Sequence, residues 1–168
     1  MERLIQRSGT QPDLIRPRPG HRHIFVFDEL MVESRIRELC AEPTFVTTAR
    51  CLGKRFVIND EGVATLLPLG GYTTYGVIWE IHEVSLTGLD IAQGMPGCTT
   101  RFGSLARGPA DELVSSDYYG ANNRTLGKAS TGYLQLILDE GRRRGFPGNY
   151  LYEVASWAAP AQTKRWAS

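Results

Sequence analysis

At 168 residues, with 42% apolar and 22% charged residues, the chain has the size and make-up of one domain with a real core. A formal net charge of +1 excludes a global field drawing it to nucleic acid or anionic membrane, and no apolar run approaches the roughly 18 residues needed to cross a bilayer. The three cysteines, Cys40, Cys51 and Cys98, are odd in number and far apart; they match neither a disulfide framework nor a metal knuckle, and with no secretory apolar core at the N-terminus they suit a cytoplasmic protein.

In chain order, residues 1–22 show little periodic hydrophobicity, and Arg16-Pro17-Arg18-Pro19-Gly20 resists regular structure because proline lacks a donor and fixes φ. This predicts a flexible extension over 1–22, one domain over 23–158 and a tail over 159–168. The rest is organised around His23 to Met31: Ile24 to Phe27 read as a buried strand running into Asp28 and Glu29, then into a helix over about 31–41 carrying Val32, Ile36, Leu39 and Cys40 on one face. Either acid can cap that helix. Thr44–Cys51 and Lys54–Asn59 read as two strands broken at Leu52-Gly53, followed by a turn at 59–62, a short strand over 63–67, a loop at Pro68–Gly71 and a long strand over 73–82. Gly76 inside that last strand signals a bulge or a close backbone approach. Ser85 is placed as the N-cap of a helix ending at Gln93, strands are expected over 99–107 and 113–119, and a loop over 120–128. Ser130 is placed as the cap of a helix with Tyr133, Leu134, Ile137, Leu138 and Gly141 along one stripe, ending in Arg142-Arg143-Arg144 and Gly145. A final helix covers about 148–158. Strands in the middle with helices between and around them, and no repeating βαβ unit, give an α+β fold with a mostly non-parallel sheet.

Searches for known site patterns are negative: no phosphate-binding glycine loop, no G-x-S-x-G, no two-histidine metal pair. His21 and His23 fall on either side of the expected domain start, Cys98 has no placeable base, and no cofactor or metal is called for.

Five segments in order, however, resemble the γ-glutamylcyclotransferase superfamily with its AIG2-like members, over roughly residues 24–156. Phe25-Val26-Phe27-Asp28-Glu29-Leu30-Met31 is similar to its F-x-Y-G-S-N-M opening, and Gly62-Val63-Ala64-Thr65-Leu66-Leu67-Pro68 to its G-x-A-T-L-x-P strand. Tyr75-Gly76-Val77-Ile78-Trp79-Glu80-Ile81 resembles the next strand, Leu89-Asp90-Ile91-Ala92-Gln93-Gly94 resembles L-D-x-x-E-G, and Tyr133-Leu134 with Gly145-Phe146-Pro147 the helical end. The resemblance implies a small mixed or antiparallel β-barrel flanked by helices, and an activity in which an α-amine attacks a γ-glutamyl carbonyl to release 5-oxoproline. The family's glutamate in L-D-x-x-E-G moves the protons, and its opening loop holds the glutamyl group through N–H donors.

This chain departs from the family at those positions. Gln93 stands where the glutamate would be, and an amide cannot shuttle protons near neutral pH, which removes a contribution of about 10²–10⁴ in rate. Phe27 replaces the loop tyrosine, Asp28 and Glu29 replace Gly and Ser/Thr, and Thr100 stands where a tyrosine is usual. Candidate catalytic residues are therefore Glu29, as a relocated base, and Gln93, as an orienting donor; candidate substrate contacts are Phe27, Asp28, Leu30, Thr100 and Tyr119. Two functions follow: a diverged cyclotransferase-like enzyme of transferase or lyase type, acting on a small amine- or amide-bearing metabolite, or a pseudoenzyme that binds a small molecule without chemistry. Neither calls for nucleic acid or membrane as a partner.

Overall fold

The computed structural model describes residues 14–160. Six strands, β1 (Leu14–Ile15), β2 (His21–Val26), β3 (Thr44–Ile58), β4 (Ala64–His82), β5 (Thr99–Arg107) and β6 (Leu113–Ala121), pair in the order β1-β6-β2-β4-β3-β5. A further β5–β6 pairing closes five of them into a barrel, and the parallel β2–β6 contact among antiparallel neighbours makes it mixed. Four helices flank it: α1 (Glu33–Leu39), α2 (Leu86–Ala92), α3 (Thr131–Arg143) and α4 (Gly148–Ala155). None of the described helices is long and apolar enough to cross a membrane.

The expected extension reaches too far into the fold. Leu14–Ile15 pairs with β6, His21 and Arg22 are already in β2, and Arg18 forms an ion pair with the buried Glu80. The prolines confine the irregular backbone to the short crossing between β1 and β2; residues 1–13 and 161–168 lie outside the described part.

The breaks expected at Leu52-Gly53 and Pro68–Gly71 do not end strands. β3 and β4 form one long ribbon, paired from Thr44↔Glu80 to Ile58↔Ala64. Between Leu52↔Thr73 and Lys54↔Pro68, residues 69–72 of β4 face only Gly53 of β3, which takes φ +71. The glycines serve a bulge that bends the ribbon round the barrel, and pairing resumes beyond it. At the ribbon's tip Asn59 Oδ1 accepts from the N–H groups of Glu61 and Val63, each at 3.0 Å, and Gly62 sits at φ +78.

Gly76 is the expected close approach. A Cβ there would collide with the Val26 carbonyl oxygen and the Phe25 ring. Gly76→Ala is expected to cost about 1–3 kcal/mol or more through overpacking, measurable as a fall in the urea midpoint; an unchanged midpoint would mean β2 yields easily at that point.

Other boundaries shift for local reasons. The expected helix over 31–41 is divided: Asp28 caps a 3-10 turn at Glu29–Met31, Val32 is extended at ψ 120, and α1 begins only at Glu33. Ser85 holds the N-cap position of α2 as expected, but a 3-10 turn at Glu83–Ser85 already leads into the helix and the Ser85 side chain makes no capping bond. Ser130 does cap α3, accepting from the Tyr133 N–H at 3.3 Å. The arginine run ends that helix: Arg143 and Arg144 both bond Glu140, and Arg144 also lies 4.7 Å from the Phe45 ring centre. The final helix stops at Ala155 rather than 158.

Candidate active site

β2 and β6 run parallel with Ile24 level with Asp117, so the end of β2 that leads into Asp28 and the end of β6 at Ala121 lie toward the same end of the barrel. Ala121 in turn pairs with Thr99, whose hydroxyl donates to the Gln93 carbonyl at 2.9 Å. Asp28-Glu29 and Gln93 thus lie toward the same end of the barrel.

Within this end the carboxylates have distinct roles. Asp28 Oδ1 accepts from the Leu30 N–H at 3.1 Å, and the Asp28 and Glu29 carbonyls accept from Met31 and Val32. The acidic side chain thereby occupies a donor of the loop that, by the resemblance, would grip an anionic group of the substrate. Glu29 does not cap. One of its carboxyl oxygens is fully buried without a hydrogen-bond partner, which is costly unless something else meets it.

Burial, the largest cause, and the neighbouring Glu29 carboxylate push Asp28 up to about 7, against the opposing bond from Leu30. The Tyr133 hydroxyl of α3 lies beside both acids and the Ala64 backbone; burial first, then the two carboxylates, raise its ionisation well above the usual phenol range. Tyr133 is the site neighbour that periodicity missed, since it reads as part of the apolar stripe of α3; its place in the Y-L motif was the available signal.

The other residues divide into two groups. Phe27 is a core residue, its ring 6.3 Å from Phe56 and 6.5 Å from Tyr118. Leu30 is buried too, and its carbonyl accepts from Trp79 Nε1 at 3.0 Å. Thr100 donates to Asn122 Oδ1 at 2.7 Å on an exposed surface. Tyr119 takes the strand face opposite Tyr118 and donates to Asp90 of α2 at 2.5 Å, so its hydroxyl is committed away from the Asp28–Glu29 pair. The side chains of Phe27, Leu30 and Tyr119 all make contacts within the fold. Asp90 is also held by Arg101; burial alone would raise its carboxyl, but the Arg101 and Tyr119 bonds keep it below the usual range. That clamp fixes α2 and with it Gln93, whose side chain makes no hydrogen bond among the described residues.

Asp28 makes stability pH-dependent. Its folded pKa lies above its unfolded value near 4, so its contribution is complete below pH 4 and is lost as pH rises through about 7. Asp28→Asn should therefore match the parent at pH 4 and exceed it at pH 8 by about 1–3 kcal/mol, roughly 3–10 °C in Tm. Parallel melting curves for the two proteins across that range would refute the shift.

Among solved structures the chain is similar to a γ-glutamyl cyclotransferase with a TM-score of 0.77 and 18% identity, covering 86% of this chain and 92% of that one. The fold is that of the γ-glutamyl cyclotransferases. A yeast γ-glutamyl cyclotransferase specific to glutathione matches with a TM-score of 0.57 and 10% identity, over 86% of this chain and 100% of that one. A mouse AIG2-like protein matches with a TM-score of 0.51 and 22% identity, over 68% and 82%. No family model and no curated protein matches the chain. On the cyclotransferase fold, the Asp28–Glu29 pair closes β2 and Gln93 closes α2.

Proposed function

We propose that this chain is a diverged cyclotransferase-like enzyme for a small amine- or amide-bearing metabolite, with Glu29 as general base and ordinary 5-oxoproline release largely lost. The observation that carries this reading is the buried, unpartnered Glu29 oxygen beside Asp28 and Tyr133. Burial and the neighbouring Glu29 charge push Asp28 up to about 7, so a carboxyl that can supply a proton near neutral pH stands next to Glu29, the proposed acceptor. An acidic mouth attracts an amine and repels a free carboxylate, and Asp28 already fills the Leu30 donor. Gln93 orients the substrate through its amide without moving protons. A pseudoenzyme would keep the same groups for binding only.

The test is direct. Purified protein given γ-glutamyl dipeptides should release little 5-oxoproline, while a panel of small amines and amides should contain a compound that is consumed. Rapid 5-oxoproline release would overturn the reading of Gln93; binding without consumption of any panel member would favour the pseudoenzyme.

A further inference from the structure

We propose that the cleft between the β4 bulge and α4 is a second small-molecule site, built for a zwitterion of the α-amino-acid type. It shares no residue with the barrel-end group. Arg55 of β3 lies between two aromatic rings, 5.0 Å from the centre of Tyr72 and 5.3 Å from that of Trp157. Tyr72 arrives on the four-residue excursion of β4, and Trp157 from the turn after α4, so three separate segments meet at this guanidinium. Contact with two aromatic rings restricts the guanidinium while its N–H groups remain available to a ligand. Among the described residues Arg55 makes neither a hydrogen bond nor an ion pair. A planar, oriented fork with unused donors suits a carboxylate held by two parallel bonds.

Glu153 of α4 lines the same cavity, about 120 Å³ in volume, yet forms no ion pair with Arg55 or, among the described residues, with any other cation. Opposite charges that share a cavity without neutralising each other can each meet one end of a dipolar ligand. Tyr72 and Glu153 also form the wall of an adjoining cavity of about 490 Å³ that includes Tyr75 and Tyr150. That volume falls within the range of small-molecule pockets, about 300–1,000 Å³. In this arrangement the ligand carboxylate lies on Arg55, its ammonium on Glu153 and the Tyr72 face, and its side chain points toward Tyr75 and Tyr150.

The experiment titrates the full-length protein by calorimetry with L-leucine, L-phenylalanine and L-glutamine. Each is compared with its N-acetyl derivative, which keeps only the carboxylate, and its carboxamide, which keeps only the ammonium. At least one free amino acid should bind, with both derivatives weaker by about tenfold, the loss of one charge-assisted contact. Arg55→Gln should weaken both the amino acid and the N-acetyl form. Glu153→Gln, at an exposed helix position, should weaken the amino acid alone, and it carries the test if the Arg55 variant does not fold. Glu29→Gln should leave the affinity unchanged, which separates this site from the barrel-end proposal. The proposal is overturned by no binding at millimolar concentration, by N-acetyl derivatives binding as well as the free amino acids, or by loss of binding in Glu29→Gln.

Discussion

Glu29→Gln is expected to lower kcat on the consumed metabolite by about 10²–10⁴, with KM close to that of the parent. The substitution keeps shape and size but removes the capacity to take a proton, so the loss falls on the chemical step. Folding should survive, since glutamine keeps an oxygen for the Tyr133 hydroxyl, the other Glu29 oxygen is already without a partner, and the capping bond belongs to Asp28. Steady-state kinetics with a melting curve on the same sample separate the two effects. A kcat within twofold of the parent would remove Glu29 from the chemistry. A rise in KM alone would make it a binding group, as the pseudoenzyme reading requires. Asp28→Asn complements the test, because it removes a carboxyl that titrates at about 7 and should simplify the pH–rate profile there.

Gln93→Glu is the gain-of-function counterpart, and should raise 5-oxoproline release from γ-glutamyl dipeptides by about 10²-fold or more over the parent. The change is nearly isosteric. The position is held by Thr99 through the Gln93 carbonyl and by the Asp90–Arg101–Tyr119 clamp on α2, neither of which involves the Gln93 side chain. A carboxylate at a helix C-terminus meets the negative end of the peptide dipoles, which pushes its pKa toward the range where a base is effective at neutral pH. A folded variant with no gain would show that loss of the glutamate is not what separates this chain from ordinary cyclotransferase chemistry. The obstruction would then lie in the loop, where Asp28 occupies the Leu30 N–H.

Several features were legible because they depend on neighbours in sequence. The apolar run Ile24–Phe27 is buried with its first three residues in β2, Ser130 caps α3, the arginines close it, and Cys40 is a core residue. The cyclotransferase-like order of segments carried the fold further, to a mixed barrel with flanking helices. What failed were breaks inferred from glycine and proline. Gly53 and Pro68–Gly71 look like chain reversals locally, yet a long ribbon curling round a barrel needs such residues in its middle, and cross-strand pairing overrides the local signal. Likewise Arg16 to Gly20 resemble a free tail until Arg18 meets Glu80, a residue 62 positions away.

The candidate site divides along the same line. The resemblance is read from residue types and order, and by it Gln93 stands where a proton-transferring glutamate is expected and two acids stand where a glycine and a hydroxyl residue are expected. Which acid caps and which is left with an unpartnered oxygen, that Tyr133 stands beside both, that Tyr119 serves Asp90, and that Arg55 is stacked between Tyr72 and Trp157, were decided only by tertiary structure. Each is a meeting of side chains from different strands and helices, and burial, charge coupling and hydrogen-bond competition exist only once those segments have packed together.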